Sequence, residues 1–132
     1  MDDLLNKSDI NLLAAEVLQK KTYYDSVCHP TYYACLQLMS YKLISKGISL
    51  ERQRQITNSR YNCHSHKYLI EETTKLIKFD SCIDERDYKK AIKELKSKRE
   101  DADYHEVRIL PEDSQKCIEL ANNITRIIRS IR

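Results

Sequence analysis

An all-helical antiparallel bundle is the fold this sequence predicts, and three observations carry the prediction. Apolar residues recur at spacings of three and four nearly throughout. The 132 residues include one glycine, Gly47, and two prolines, Pro30 and Pro111, so the turn chemistry that tight hairpins require is almost missing. Polar links between the periodic stretches are short, and amphipathic helices so joined bury their stripes most economically against one another, up and down. About five helices are expected, in a single domain over residues 1–132.

The first helix is expected from Ser8 as N-cap, with Ile10, Leu13, Ala14, Val17 and Leu18 on one stripe. Pro30 suits the first turn of a second helix and Gly47 the position just past its end. Between them Tyr33, Leu36, Ser40, Leu43 and Ile44 share a face that Tyr32, Cys35 and Met39 widen, so this helix should be largely buried. Ser49 and Glu51 could start a short helical turn, but Arg52 to Tyr61 lacks an apolar face and is expected as a connector. A third helix, capped by Ser65, carries Tyr68, Leu69, Thr73, Leu76 and Ile77 and ends near Phe79. A fourth is expected from Asp84, with Ile83 and Tyr88 as a hydrophobic staple and a stripe of Tyr88, Ala91, Ile92, Leu95, Arg99 and Ala102. The fifth opens at Pro111 with Glu112 and Asp113 and ends with Arg126, Arg129 and Arg132, as the macrodipole favours. Its apolar side is Cys117, Leu120, Ala121, Ile124, Ile127, Ile128 and Ile131.

Composition narrows the function classes. The chain is 41% hydrophobic and 33% charged with a mean hydropathy of -0.65, which fits a folded protein with a solvated surface. Gly-rich phosphate loops, and with them Rossmann and P-loop folds, are excluded by the single glycine. A net charge of +3 and a pI near 8.5 are mild for a nucleic-acid binder while leaving a polyanion partner open. No apolar run approaches the ~18 residues that cross a bilayer, so no membrane association is expected. Five cysteines, an odd number, and a start without a basic segment or apolar core point to reduced thiols in the cytoplasm.

Arg99 breaks the pattern of the fourth helix. The stripe that runs through Leu95 calls for an apolar residue there, and a guanidinium on a buried face needs an anion, because desolvating it alone costs several kcal/mol. Asp103, one turn later, and Asp101 are the local candidates; a phosphate of RNA or a nucleotide is the external one, bound bidentately. An internal ion pair carries about equal weight on physics alone. His105 follows six residues on, and an unbroken helix would turn it ~600° away, so the two cooperate only if the helix ends near Tyr104. Val107, Ile109 and Pro111 favour such an end. Histidine is the natural acid or base near neutral pH, and arginine can neutralise charge developing on phosphorus. Arg60 and His66 repeat the same spacing, so spacing alone discriminates little.

Three stretches together resemble HEPN domains: Tyr32-Tyr33-Ala34-Cys35-Leu36-Gln37-Leu38-Met39, Ser65-His66-Lys67, and Arg99-Glu100-Asp101-Ala102-Asp103-Tyr104 followed by a helix from Pro111. The similarity runs from about Tyr23 to Ile131. It implies an up-and-down helical bundle, often a homodimer, of bacterial or archaeal toxin-antitoxin and phage-defence systems. It further implies a metal-independent endoribonuclease without cofactor, in which Arg99 and His105 occupy the Arg and His of the family signature at a dimer cleft. Arg60 and His66 do not match that signature in place. Other members with the Arg-x-x-Ala-Asp-Tyr form resemble nucleotide-binding or accessory modules, whose partner would be an antitoxin or a nucleotidyltransferase. On either reading Asp103, Tyr104, His66 and Tyr33 are expected to line the substrate or nucleotide site. The chain departs from the pattern at Glu100, an acidic residue that repels phosphate.

Other constellations have plain explanations. Cys63-His64-Ser65-His66 with Cys28-His29 could hold zinc if the segments met, but the familiar ligand spacing is missing and no metal is expected. Nine tyrosines, among them Tyr23, Tyr24, Tyr32 and Tyr33, could stack on bases but suit core packing better. Lys89, Lys90, Lys93, Lys96 and Lys98 alternate with acids and read as a solvated face.

Overall fold

A computed structural model describes residues 2–104 and 106–132, and among them the regular structure is helical. Six α-helices follow in order: α1 (Asp2–Lys20), α2 (Cys28–Ser45), α3 (Leu50–Arg60), α4 (Ser65–Leu76), α5 (Cys82–Tyr104) and α6 (Pro111–Arg129). A single 3-10 turn, Tyr24–Ser26, precedes α2. They form the up-and-down bundle expected, with one helix more. No helix among the described residues is long and apolar enough to cross a membrane.

The centre of the bundle is α2, against which α1, α4, α5 and α6 all pack. Its composition explains the position, since Tyr32, Cys35, Leu36, Leu38, Met39 and Leu43 are buried on nearly all sides. Large side chains such as Leu38, Met39, Leu95, Ile124 and Ile128 are fully enclosed, each stabilising the fold by ~1.5–3 kcal/mol relative to exposure. Tyr32, Tyr68 and Tyr88 are equally enclosed, so three of the nine tyrosines are core packing. Gly47 ends α2 as expected: at a φ of 92° it lets its own N–H reach the Ile44 carbonyl at 2.9 Å while Ile48 N–H reaches Leu43 at 3.0 Å. That pair of bonds is a Schellman motif, which requires the left-handed conformation glycine adopts freely.

Three expectations about α1 and the segment after Ser49 need correction. Ser8 does not cap α1 but lies inside it, buried, donating to the Ala34 carbonyl at 2.7 Å. The inward face of α1 is Leu5, Ser8, Leu12, Ala15 and Leu18, and the stripe expected there leaves Ile10, Leu13 and Val17 more than half exposed. Apolar residues surround this helix, so the buried side is chosen by tertiary contacts, and it takes a serine. The connector after Ser49 is the helix α3: Ser49 accepts from Arg52 N–H at 3.1 Å as its N-cap. Gln53 and Thr57, one turn apart, form its buried side, and Gln53 replaces apolar contact with hydrogen bonds to Ser40 and to the Ile48 carbonyl.

The caps of the next two helices also differ. His64, not Ser65, is the residue before α4, and Ser81 caps α5 by accepting from Asp84 N–H at 3.1 Å. Ile83 is then exposed and staples nothing. Cys28 and Cys117, expected as reduced thiols, are joined by a disulfide that ties α2 to α6, while Cys35, Cys63 and Cys82 are free.

Candidate functional site

Arg99 is buried on α5 in the stripe that runs through Tyr88, Ala91, Ile92 and Leu95. A guanidinium there has little water, so its environment must be built from other side chains. The first turns of α2 supply Tyr32 and Tyr33, the first turn of α4 supplies His66, and the end of α5 supplies Asp103 and Tyr104. All three elements converge at one end of the bundle.

The guanidinium carbon stands 4.9 Å from the ring centre of Tyr32, 5.5 Å from Tyr104 and 5.9 Å from Tyr33. Each ring face attracts the cation, most strongly where water is excluded. One terminal nitrogen donates to the Tyr104 hydroxyl at 3.3 Å and lies 3.6 Å from Asp103 Oδ2. Nε is buried and has no hydrogen-bond partner among the described residues. Asp103 Oδ2 also meets His29 Nδ1 at 3.0 Å, so one carboxylate bridges an imidazole and the arginine.

Rings continue the arrangement outward. His29 stacks on Tyr33 with centres 4.5 Å apart, and His66 meets Tyr32 and Tyr33 edge-on at 5.5 and 5.7 Å. Burial pushes the Tyr32 phenol up to about 12, against the opposing pull of Arg99, so it stays protonated. Burial, then the positive charges of Arg99 and Lys96, hold His66 below the usual imidazole value. The phenol oxygen of Tyr32 and His66 Nδ1 are hydrogen-bonded across 3.3 Å, Tyr32 donating when the neutral imidazole carries its proton on Nε2.

The structure therefore brings together Arg99, Asp103, Tyr104, His66 and Tyr33, all of which the sequence singled out. His105 lies outside the described residues. Arg60 is exposed at the end of α3 and makes no pair with His66 among the described residues, in keeping with its mismatch to the signature. The zinc alternative loses Cys28, whose sulfur is bonded to Cys117. Two members of the cluster were missed. Tyr32 is expected as core, which it is, and His29 only as a candidate zinc ligand beside Cys28; their signal is the i, i+3, i+4 spacing of His29, Tyr32 and Tyr33 at a helix start.

Beside the cluster, His66 lines a cleft of about 500 Å³ with Cys63, His64, Ser65, Lys67 and Lys96. The first turn of α4 opens into it without a side-chain cap. The positive end of the α4 dipole and two lysines give this cleft a positive field.

A helical bundle holding one charged arginine inside a tyrosine cage at its end defines a class of protein by fold and site together. The chain belongs to the HEPN domain family, whose model matches residues 1–131. No curated protein and no solved structure matches it.

Proposed function

We propose that the chain is one HEPN domain over residues 1–132 acting as a metal-independent endoribonuclease of a cytoplasmic defence or toxin-antitoxin system, with Arg99 and His105 at the cleft of a homodimer. The observation that carries this reading is the buried Arg99, charged, caged by three aromatic rings and with its Nε unsatisfied among the described residues. A buried cation with donor capacity to spare is a ready site for an anion.

In the reaction His105 accepts the proton of a ribose 2′-hydroxyl, whose oxygen attacks the adjacent phosphorus. Arg99 stabilises the extra negative charge on the phosphoryl oxygens. The new 2′-oxygen–phosphorus bond forms as the bond to the 5′-oxygen breaks, and water protonates that oxygen. The products are a 2′,3′-cyclic phosphate and a 5′-hydroxyl. Tyr33, Tyr104 and His66 offer ring faces to the flanking bases. The exposed face of Ile10, Leu13 and Val17 on α1 supplies apolar area for the homodimer.

A second reading is favoured by one observation: Asp103 already sits 3.6 Å from the guanidinium, the position a phosphate oxygen would take. On that reading the cleft holds a nucleotide, or docks an antitoxin or nucleotidyltransferase partner, without turnover. Incubation of wild type, Arg99→Ala and His105→Ala with labelled total RNA in EDTA separates the two. Cleavage by wild type with cyclic phosphate ends, reduced ~100-fold or more in each variant, is expected for the nuclease. Intact RNA with nucleotide binding that Arg99→Ala abolishes would replace it by the binding module.

A further inference from the structure

The lysines of α5 are solvated, as expected, and three of them, Lys89, Lys93 and Lys96, also line a groove. Between α4 and α5 runs an open groove of about 570 Å³ whose floor includes Ile70, Thr74 and Ile92 and whose walls carry Lys67, Lys75, Lys89, Lys93 and Lys96. At one end it shares Lys67 and Lys96 with the cleft beside His66. At the other it shares Lys89 and Lys93 with a depression lined by Arg86, Lys90, Glu85 and Cys82. Three hollows with shared lysine walls thus follow one another, from the imidazole that touches the Arg99 cage down α5.

We infer that this path is a track for single-stranded RNA, in which Lys67, Lys96, Lys93 and Lys89 hold the backbone phosphates of nucleotides leaving the Arg99 cleft. The inference rests on the proposed RNA substrate and adds where the strand runs. Charge favours it: Lys67, Lys93 and Lys96 make no ion pair among the described residues, and Glu71 is the one acid on the groove's walls. Lys75 and Lys89 are held by Glu72 and Glu85, at 2.7 and 3.2 Å, and such exposed pairs exchange readily for phosphate. Lys89, Lys93 and Lys96 repeat at spacings of four and three, one helix face, over a rise of ~10 Å. A strand advancing ~3.4 Å or more per nucleotide places about two or three phosphates along them. The apolar floor suits bases turned inward, as on other sequence-tolerant single-strand surfaces.

The test measures binding by fluorescence anisotropy for two labelled probes, UpU and an oligouridylate of about twelve nucleotides, at several salt concentrations. Wild type is compared with Lys89→Ser/Lys93→Ser and with Lys7→Ser/Lys20→Ser, which removes equal charge from α1. Expected is a ~10-fold weaker grip on the long probe in the track variant, with its salt slope reduced by ~1.4, and no change for UpU or for the α1 variant. Equal affinity and slope in the track variant, or equal weakening in the α1 variant, would overturn the track while the cleft reading stands. Failure of wild type to bind either probe would remove the RNA reading and the track with it.

Discussion

Replacing Arg99 by methionine should abolish function while leaving stability almost unchanged. The stem keeps its length, so packing around Leu95 and Tyr32 is retained. Lost are the cation–ring contacts with Tyr32, Tyr104 and Tyr33 at 4.9, 5.5 and 5.9 Å, together worth ~1–2 kcal/mol in a desolvated setting, the 3.3 Å bond to Tyr104, worth ~0.5–1.5 kcal/mol, and the 3.6 Å approach to Asp103. Regained is the ~1–3 kcal/mol spent on desolvating an Nε without partner, together with thioether–aromatic contacts of ~0.3–1.5 kcal/mol. Asp103 keeps His29 at 3.0 Å and is about a fifth exposed, so it is not stranded. The two sides cancel to within ~1 kcal/mol, a shift of at most ~5 °C in Tm for a chain of this size. Circular dichroism melts of wild type and Arg99→Met, paired with the RNA and nucleotide assays, check this. A loss above ~3 kcal/mol would refute the reasoning, because that is the signature of a broken structural ion pair.

Two further outcomes follow from the hydrogen bonds and the His66 environment. Gln53→Ala removes three hydrogen bonds that hold α3 to Ser40 and Ile48 and should cost ~2 kcal/mol in urea unfolding; unchanged hydrogen exchange across α3 would contradict it. His66 has a folded pKa below its unfolded value, so the unfolded chain binds the proton first as pH falls. The stability from the neutral imidazole is therefore complete above ~6.5 and declines as pH drops from there through the folded pKa. His66→Gln lacks this contribution, and the gap between the two proteins should narrow from pH ~7 towards pH ~5; parallel curves would show that His66 does not titrate as the cleft requires.

Fold class and most helix faces were legible because burial in a bundle imprints a period near 3.6, and α4, α5 and α6 carry it most clearly, whereas α2 is apolar nearly all round. Gly47 and Pro111 punctuated them as backbone chemistry requires. Where burial is polar the imprint fails. Gln53 and Thr57 bury α3 through hydrogen bonds, and Ser8 faces inward on α1 while Ile10, Leu13 and Val17 do not.

The candidate site divides the same way. Arg99 stood out in sequence as a charge on an apolar stripe, and Asp103 lies one turn from it, so local spacing determined that pair. His29 and Tyr32 are about seventy residues away, and only the packing of α2 against α5 brings them to the guanidinium. The lysine groove needed the placement of α4 beside α5, because alternation of charge along one helix does not reveal what faces it. By itself the sequence determined a helical bundle with a misplaced arginine, since periodicity is local. Only the tertiary structure decided which rings cage that arginine and where the positive path leads, because those contacts join residues distant along the chain.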